Sequence, residues 1–323
     1  MKFVFNLQLF AVNKTTDSGL SVEMKTYYEK RLIDLAEPKL VHNQFGDKYP
    51  IPRNGGKTIE FRKYDPLPKA TTPISEGVTP AGSQLNVTNI TATVAQYGDY
   101  VQISDMLDLT AIDNNIVQST KLLGSQAGRT LDTITRDIIN GGSNVLYAGA
   151  RASRSALTAA DTLVPDLFNQ AAAILAGNNA DYIDDSFVAI VHPYAKYDLI
   201  SSPQWIDVHK YADPTAIYEG EIGKLGNVRF VESTEAKIWN DSTCPSGLAV
   251  FSTLVLGAHA YGVTDIEGGG LQHIVKQLGY GDDPLNQRAS VGWKATATAE
   301  RLVESYMVRI ESTSAFSPKA QAN

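Results

Sequence analysis

A chain of 323 residues that is 43% hydrophobic and 20% charged can bury a sizeable core, and its ordinary apolar content excludes wholesale disorder. Lys plus Arg number 28 against 35 Asp plus Glu, a formal net charge of −7, which excludes a protein that gains affinity by displacing phosphate counterions and suits a surface that stays near nucleic acid without adhering to it. The single cysteine, Cys244, excludes an internal disulfide and fits a reducing, cytoplasmic setting.

Residues 1–20 mix polar and apolar positions without periodicity and read as an extended arm. Their start, "MKFVFNLQLFAV", imitates a signal peptide, but Asn6 and Gln8 interrupt the apolar core and no small-x-small cleavage site follows. The sequons at Asn86 and Asn89 therefore carry no weight. No apolar run approaches the ~18 residues of a membrane span. A short helix is expected over 21–37, with Met24, Tyr28, Leu32 and Leu35 on one face and Pro38 ending it. Residues 57–65 and 86–104 then read as two strands, the second Thr-rich, and Pro66, Pro68, Pro73 and Pro80 fill the tip between them. Such a hairpin has too little apolar surface to be stable by itself and must find its cover elsewhere.

The strongest helical signal covers 110–140. A capping box at Thr110 to Asp113 opens it, Asn140-Gly141-Gly142 closes it, and Ile112, Ile116, Leu123, Ala127, Leu131, Ile134 and Ile138 form one apolar stripe. At 1.5 Å per residue this is a rod of roughly 45 Å, long for a compact enzyme. An α/β unit follows over about 161–252: a helix at 165–176 closed by Gly177, a buried strand at 187–191, a helix at 193–200, and strands at 228–231 and 249–255. Strands at 271–278, 291–299 and 305–312 end the chain; in the last, Tyr306, Val308 and Ile310 alternate with Met307, Arg309 and Glu311.

Motifs of chemistry are missing or fail on spacing. In "GEIGKLGNVRF", taking Gly223-Lys224 as the G-K of a phosphate loop puts Tyr218 where the first glycine belongs and Leu225 where the hydroxyl belongs. A strand pattern follows where a phosphate loop would open a helix, so Gly220, Gly223, Lys224 and Gly226 read as a turn. The histidines at 42, 192, 209, 259 and 273 never stand at i, i+3 or i+4 to one another, and no zinc site is expected. There is no G-x-S-x-G or H-E-x-x-H. Asp184-Asp185 and Asp282-Asp283 sit in turn contexts, and Tyr194, Tyr197 and Trp205 read as core or interface. No catalytic residue, bound metal or cofactor is expected.

Four segments carry a family resemblance: "MKFVFNLQLFA" at the start, "AIVHPYAKYDL" at 189–199, "GEIGKLGNVRFVEST" at 220–234 and "GWKATATAERLVESYMVRIESTS" at 292–314. Together, and in this order, they resemble tailed-bacteriophage major capsid proteins of the Hong Kong 97 fold, most of all the branch typified by coliphage N4. The resemblance implies an α+β fold with an N-terminal arm at 1–49, an extended loop at 50–104, a peripheral domain at 105–154 plus 256–323 with its spine helix at 110–140, and an axial domain at 155–255. It implies an icosahedral shell of hexamers and pentamers around double-stranded DNA, with portal and scaffolding or decoration partners, no membrane and no sequence-specific DNA contact. The shell would be assembled in the host cytoplasm. The loop tip, with Pro66, Leu67, Pro68, Lys69 and Ile74, becomes the expected assembly site, and Gly220, Gly223, Lys224 and Gly226 an axial-domain turn. Some relatives join a loop lysine to a neighbour's asparagine; Lys69 stands in such a place, but no partner is picked out and a non-covalent shell is expected. Part of the family carries a long charged helix before the arm, which is not seen here, so a separate scaffolding protein or a cleaved segment is implied. Two rivals remain: a compartment shell of encapsulin type, and a soluble α/β hydrolase or transferase with an unread site.

Overall fold

The computed structural model describes residues 41–74, 76–77, 79–110, 115–205 and 224–323. The helix expected over 21–37 lies outside them, as do Gly220, Gly223 and most of the capping box at 110–113. In chain order the elements are β1 (Asp47–Lys48), β2 (Thr58–Tyr64), β3 (Val87–Thr93), β4 (Ala95–Ser104), α1 (Asp105–Thr110), α2 (Asn115–Asn140) and β5 (Val145–Tyr147). There follow α3 (Pro165–Gly177), β6 (Phe187–Val191), α4 (Pro193–Ser201), β7 (Lys224–Leu225), β8 (Val228–Glu232), β9 (Ile238–Trp239) and β10 (Val250–Leu256). The last four are β11 (Tyr261–Thr264), β12 (Gln272–Lys276), β13 (Arg288–Arg301) and β14 (Met307–Ser312).

The chain divides into two compact units, and the division falls within α2 and within β13. The first holds Gln96–Gly128 and Gly269–Ala295. In it β12 pairs antiparallel with the first half of β13, from Gln272 opposite Lys294 to Lys276 opposite Ser290, and β4 also pairs with β13. Glycines allow that second pairing: a Cβ at Gly98 would lie 2.6 Å from the carbonyl oxygen of Trp293, and one at Gly292 would lie 2.8 Å from Cβ of Tyr100.

The second unit holds 41–95, Arg129–Gly268 and Thr296–Asn323. Its centre is a sheet in the order β5-β14-β10-β6-β8-β7, with β9 beside β10. Every residue of β6 and β10 is buried, as both-face cover of a central strand requires. Phe168, Ala171 and Leu175 of α3 join the core beneath it. Pro165 and Pro193 stand at the first turns of α3 and α4, where the missing N–H has no intrahelical partner to lose. His192 caps α4 by accepting from the Tyr194 amide at 3.2 Å. In the same unit the second half of β13 pairs with β11, and β1 lies parallel to β11.

Three expectations change. The strand read over 86–104 is two strands: β3 ends at Thr93, Val94 is buried and its amide donates to Lys57 O at 2.8 Å, and β4 then joins β13. β4 is therefore no part of the β2–β3 hairpin. Of the long helix read as 110–140, Thr110 closes α1 and Asn115–Asn140 is α2, with 111–114 outside the described residues. The 305–312 strand, grouped by sequence with the peripheral strands, lies between β5 and β10 in the second unit's sheet; its alternation shows that it is a strand but not which neighbours it takes. Finally, Gly177 is the last residue of α3, and Asn179 beyond it carries the positive φ of 59°.

Polar residues replace the predicted apolar stripe in the second half of α2. Leu123, Ala127 and Leu131 are buried as expected, but Ile134 and Ile138 are only half-buried. The buried positions belong instead to Asp132, Thr135, Arg136, Ile139 and Asn140. Asp132 accepts from the amide and from Nδ1 of His42, both at 2.7 Å, and His42 is itself fully buried. Arg136 donates to Glu235 O at 2.8 Å and to Asn323 O at 3.2 Å. Ser252 donates to Asn140 at 2.5 Å. Asp132, Arg136 and Asn140 thus each have a partner, the condition for burying them without a large penalty.

Candidate functional site

The β2–β3 hairpin is built from residues that favour a pleated strand, Thr58, Ile59, Phe61, Val87, Ile90 and Thr91 among them. It is in register from Thr58 opposite Thr93 to Tyr64 opposite Val87, and Asp65 extends the ladder by donating to Asn86 O at 3.1 Å. β2 and β3 form a two-stranded sheet by themselves. Only the base is held: Ala92 and Val94 are buried, and the Phe61 ring meets Tyr49 edge-on at 5.1 Å. Beyond it, every described residue from Arg62 to Asn89 is exposed. Leu67, Ile74 and Leu85 are 52%, 73% and 68% exposed, which leaves apolar surface that the described residues do not cover.

The five expected tip residues, Pro66, Leu67, Pro68, Lys69 and Ile74, therefore share one uncovered segment. Prolines fix φ and supply no N–H, so the segment cannot add a regular ladder and is stiffened without being packed. Its one short backbone bond runs from the Thr71 amide to Lys69 O at 3.1 Å. Of the glycine-turn residues, Lys224 and Gly226 are described. Gly226 and Asn227 are the two loop residues between β7 and β8, and Gly226 has φ of 56°, the sign that a type II′ turn needs at its first central position. Lys224 Nζ donates to Asp185 O at 3.0 Å, so it ties this turn to the segment before β6. The structure does not bring Lys224 and Gly226 together with the loop tip in any described contact.

Two features escaped the sequence reading. One is a buried ion cluster: Glu311, fully buried on β14, accepts from Nε and Nη2 of Arg154 at 2.7 and 2.8 Å and from Nε of Arg309 at 2.8 Å. The Arg154 guanidinium also lies 3.7 Å from the centre of the Trp239 ring, and Arg309 donates to the carbonyls of Asn140 and Gly142 at the end of α2. Arg154, Trp239 and Glu311 lie far apart in sequence, and no spacing announces them. The other is the surface of Tyr194, Tyr197 and Phe316, whose rings meet at 5.2 and 5.1 Å; the first two were singled out, and Phe316 was not. Trp205, named with them, instead joins the core against Phe230 at 5.6 Å. Among the described residues no group of three or more His, Cys, Asp or Glu side chains could hold a metal ion, and no helix is long and apolar enough to cross a membrane.

A family model described as phage capsid protein matches residues 88–277. No curated protein sequence matches the chain. Among solved structures, the capsid of the cyanophage P-SCSP1u superposes with a TM-score of 0.65 at 16% identity, covering 84% of this chain and 87% of that one. The capsid of Ralstonia phage GP4 does so at 0.65 and 16%, covering 84% and 88%. The cyanophage Pam1 capsid does so at 0.66 and 13%, covering 84% and 89%. These similarities show a Hong Kong 97-like fold. With the family model aligned to more than half of its residues, the chain belongs to the phage capsid protein family.

Proposed function

We propose that the exposed β2–β3 loop is the clasp by which this shell-forming major capsid protein grips a neighbouring subunit, and that the finished shell encloses the double-stranded DNA of a tailed phage. The observation that carries the reading is the unbroken exposure from Arg62 to Asn89, including Leu67, Ile74 and Leu85. A hairpin held only at its base is stabilised when another subunit covers the rest. The net charge of −7 suits a wall that confines DNA without binding it tightly. On this reading the second unit's α/β sheet is the axial domain, Lys224 and Gly226 belong to an axial turn, and α2 is the spine of the peripheral domain. The chain is read as one of the branch typified by coliphage N4, and the partners are further copies of the chain, a portal, and scaffolding or decoration proteins, brought together in the cytoplasm of the host.

The test replaces residues 67–78 by a short Gly-Ser linker. Little intrachain burial is lost, so the unfolding free energy of the isolated subunit is expected to change by no more than about 1 kcal/mol. Particle yield is expected to collapse, because each subunit of a closed shell repeats the contact. Normal assembly of the variant would remove the clasp, and a large loss of subunit stability would make the segment an ordinary part of the core.

A further inference from the structure

The first unit carries a cavity of about 630 Å3 that runs across strands β4, β13 and β12. β13 is the middle strand: Ile274 and Lys276 of β12 stand opposite its Gly292 and Ser290, and from β4 the Tyr100 Cβ lies 2.8 Å from where a Cβ at Gly292 would be. Residues abreast across paired strands share a face, so Tyr100, Gly292 and Ile274 mark one row across a trough two strand spacings wide, about 10 Å. Gly98 and Gly292 leave bare backbone in it, open to close approach by a ligand. Tyr100 and Tyr280 line it as well and stay 63% and 65% exposed.

Polar groups converge on the same space, with Asp99, Asp282 and Gln102 exposed at it. Asp99 is positioned from behind: Trp293 Nε1 donates to Gln126 Oε1 at 3.2 Å, and Gln126 Nε2 donates to Asp99 Oδ2 at 2.6 Å. The bonds from Gln126 and from the Tyr100 amide hold the Asp99 carboxyl below its ordinary range, so it is a carboxylate at neutral pH. The cations lining the trough are already engaged: Lys276 Nζ lies 4.4 Å from the centre of the Tyr280 ring, and Arg288 donates to Asp282 O at 3.1 Å. An anion would therefore face Asp99 and Asp282, while a cation would have to displace Lys276 from Tyr280 and stand near Arg288. A wholly apolar ligand would strip water from the carboxylates and the bare backbone without replacing its hydrogen bonds. A neutral saccharide meets every group: its C–H faces pack on tyrosine rings, and its hydroxyls donate to carboxylates and accept from amide N–H groups. The volume falls within the ~300–1,000 Å3 of small-ligand pockets. We propose that this trough binds a short neutral saccharide, with sugar rings against Tyr100 and Tyr280 and hydroxyls on Asp99, Asp282 and Gln102. The site belongs to the first unit alone and needs nothing from the β2–β3 loop.

The trough is tested with an array of neutral oligosaccharides of hexoses and N-acetylhexosamines, with sialylated and sulfated members beside them, probed by the full-length protein in the assembly state in which it purifies. The expected result is saturable binding to one or more neutral members, repeated with the same sugar free in solution by saturation-transfer NMR. Tyr100→Ala and Tyr280→Ala are each expected to weaken that binding about fivefold to tenfold. Asp282→Ala, which removes a charged acceptor, is expected to weaken it at least about tenfold. Tyr280→Trp keeps a flat ring and is expected to stay within about threefold of the parent, a rescue that a merely structural role for Tyr280 would not give. All three side chains are exposed, so the melting temperatures of the variants should stay with that of the parent. Absence of binding to any neutral member, or binding confined to the acidic ones, overturns the proposal. So does unchanged affinity in the three alanine variants, or an equal loss in Tyr280→Ala and Tyr280→Trp.

Discussion

At the scale of single residues, His192 is set up as an acid-sensitive cap. Its Nδ1 accepts the Tyr194 amide at the start of α4, and burial pushes its pKa down to about 4, although Glu232 pulls the other way. The folded pKa lies below the unfolded one, so the unfolded chain binds more protons in between. The stabilisation is therefore complete above about pH 6.5 and lost as pH falls towards 4. Protonation also removes the lone pair that caps the helix. Replacing His192 by Asn, which keeps a cap acceptor without titrating, is expected to flatten the stability loss over that window by on the order of 2 kcal/mol, read from denaturant midpoints at several pH values. An unchanged pH profile would remove His192 as the sensor. Glu311 makes the sharper case. Glu311→Ala leaves Arg154 and Arg309 side by side without their shared carboxylate, and a broken buried pair of this kind costs about 3–5 kcal/mol. Equilibrium unfolding of the isolated subunit measures it, and a loss below about 1 kcal/mol would mean that solvent reaches and screens the pair.

At the scale of elements, the legible parts are those whose identity rests on neighbours in sequence. β6 is a run of five apolar residues, Phe187 to Val191, and is found where the run lies; α3 begins at the proline that announces it. The second half of α2 was less legible because periodicity counts apolar residues, whereas the buried face there is Asp132, Thr135, Arg136 and Asn140. Their partners, His42, Glu235, Asn323 and Ser252, come from distant segments. The loop was visible as a proline-punctuated, weakly apolar stretch, but the split at Val94 was not, since β3 and β4 have the same strand-favouring composition and only pairing separates them. The cavity of Tyr100 and Tyr280 was illegible for the same reason, being assembled from β4 and the segments around β12 and β13. A prediction belongs to this scale. Asp132→Leu leaves the buried His42 imidazole without its acceptor, so it is expected to cost about 3 kcal/mol or more despite adding apolar volume. Replacing His42 by Leu in the same chain should recover the side-chain part of that loss, while the backbone amide at position 42 stays without its acceptor. Additive losses in the double variant would show that the pair is not coupled.

At the scale of the whole molecule, the family and the Hong Kong 97-like fold make the chain a virion component that self-assembles. The exposed loop fits that conclusion, since Leu67, Ile74 and Leu85 would gain cover from a neighbouring subunit on the proposed reading. The expectation of a non-covalent shell predicts that particles boiled in detergent and reductant run as single chains of 35.0 kDa; a ladder of multimers would establish covalent joints. A chelator should leave assembly unchanged. The most direct measurement is the mass of the purified chain at micromolar concentration and moderate salt, by native mass spectrometry with imaging of the same sample. The account predicts capsomers or closed particles built from many copies, and a strictly monomeric mass under those conditions would contradict it.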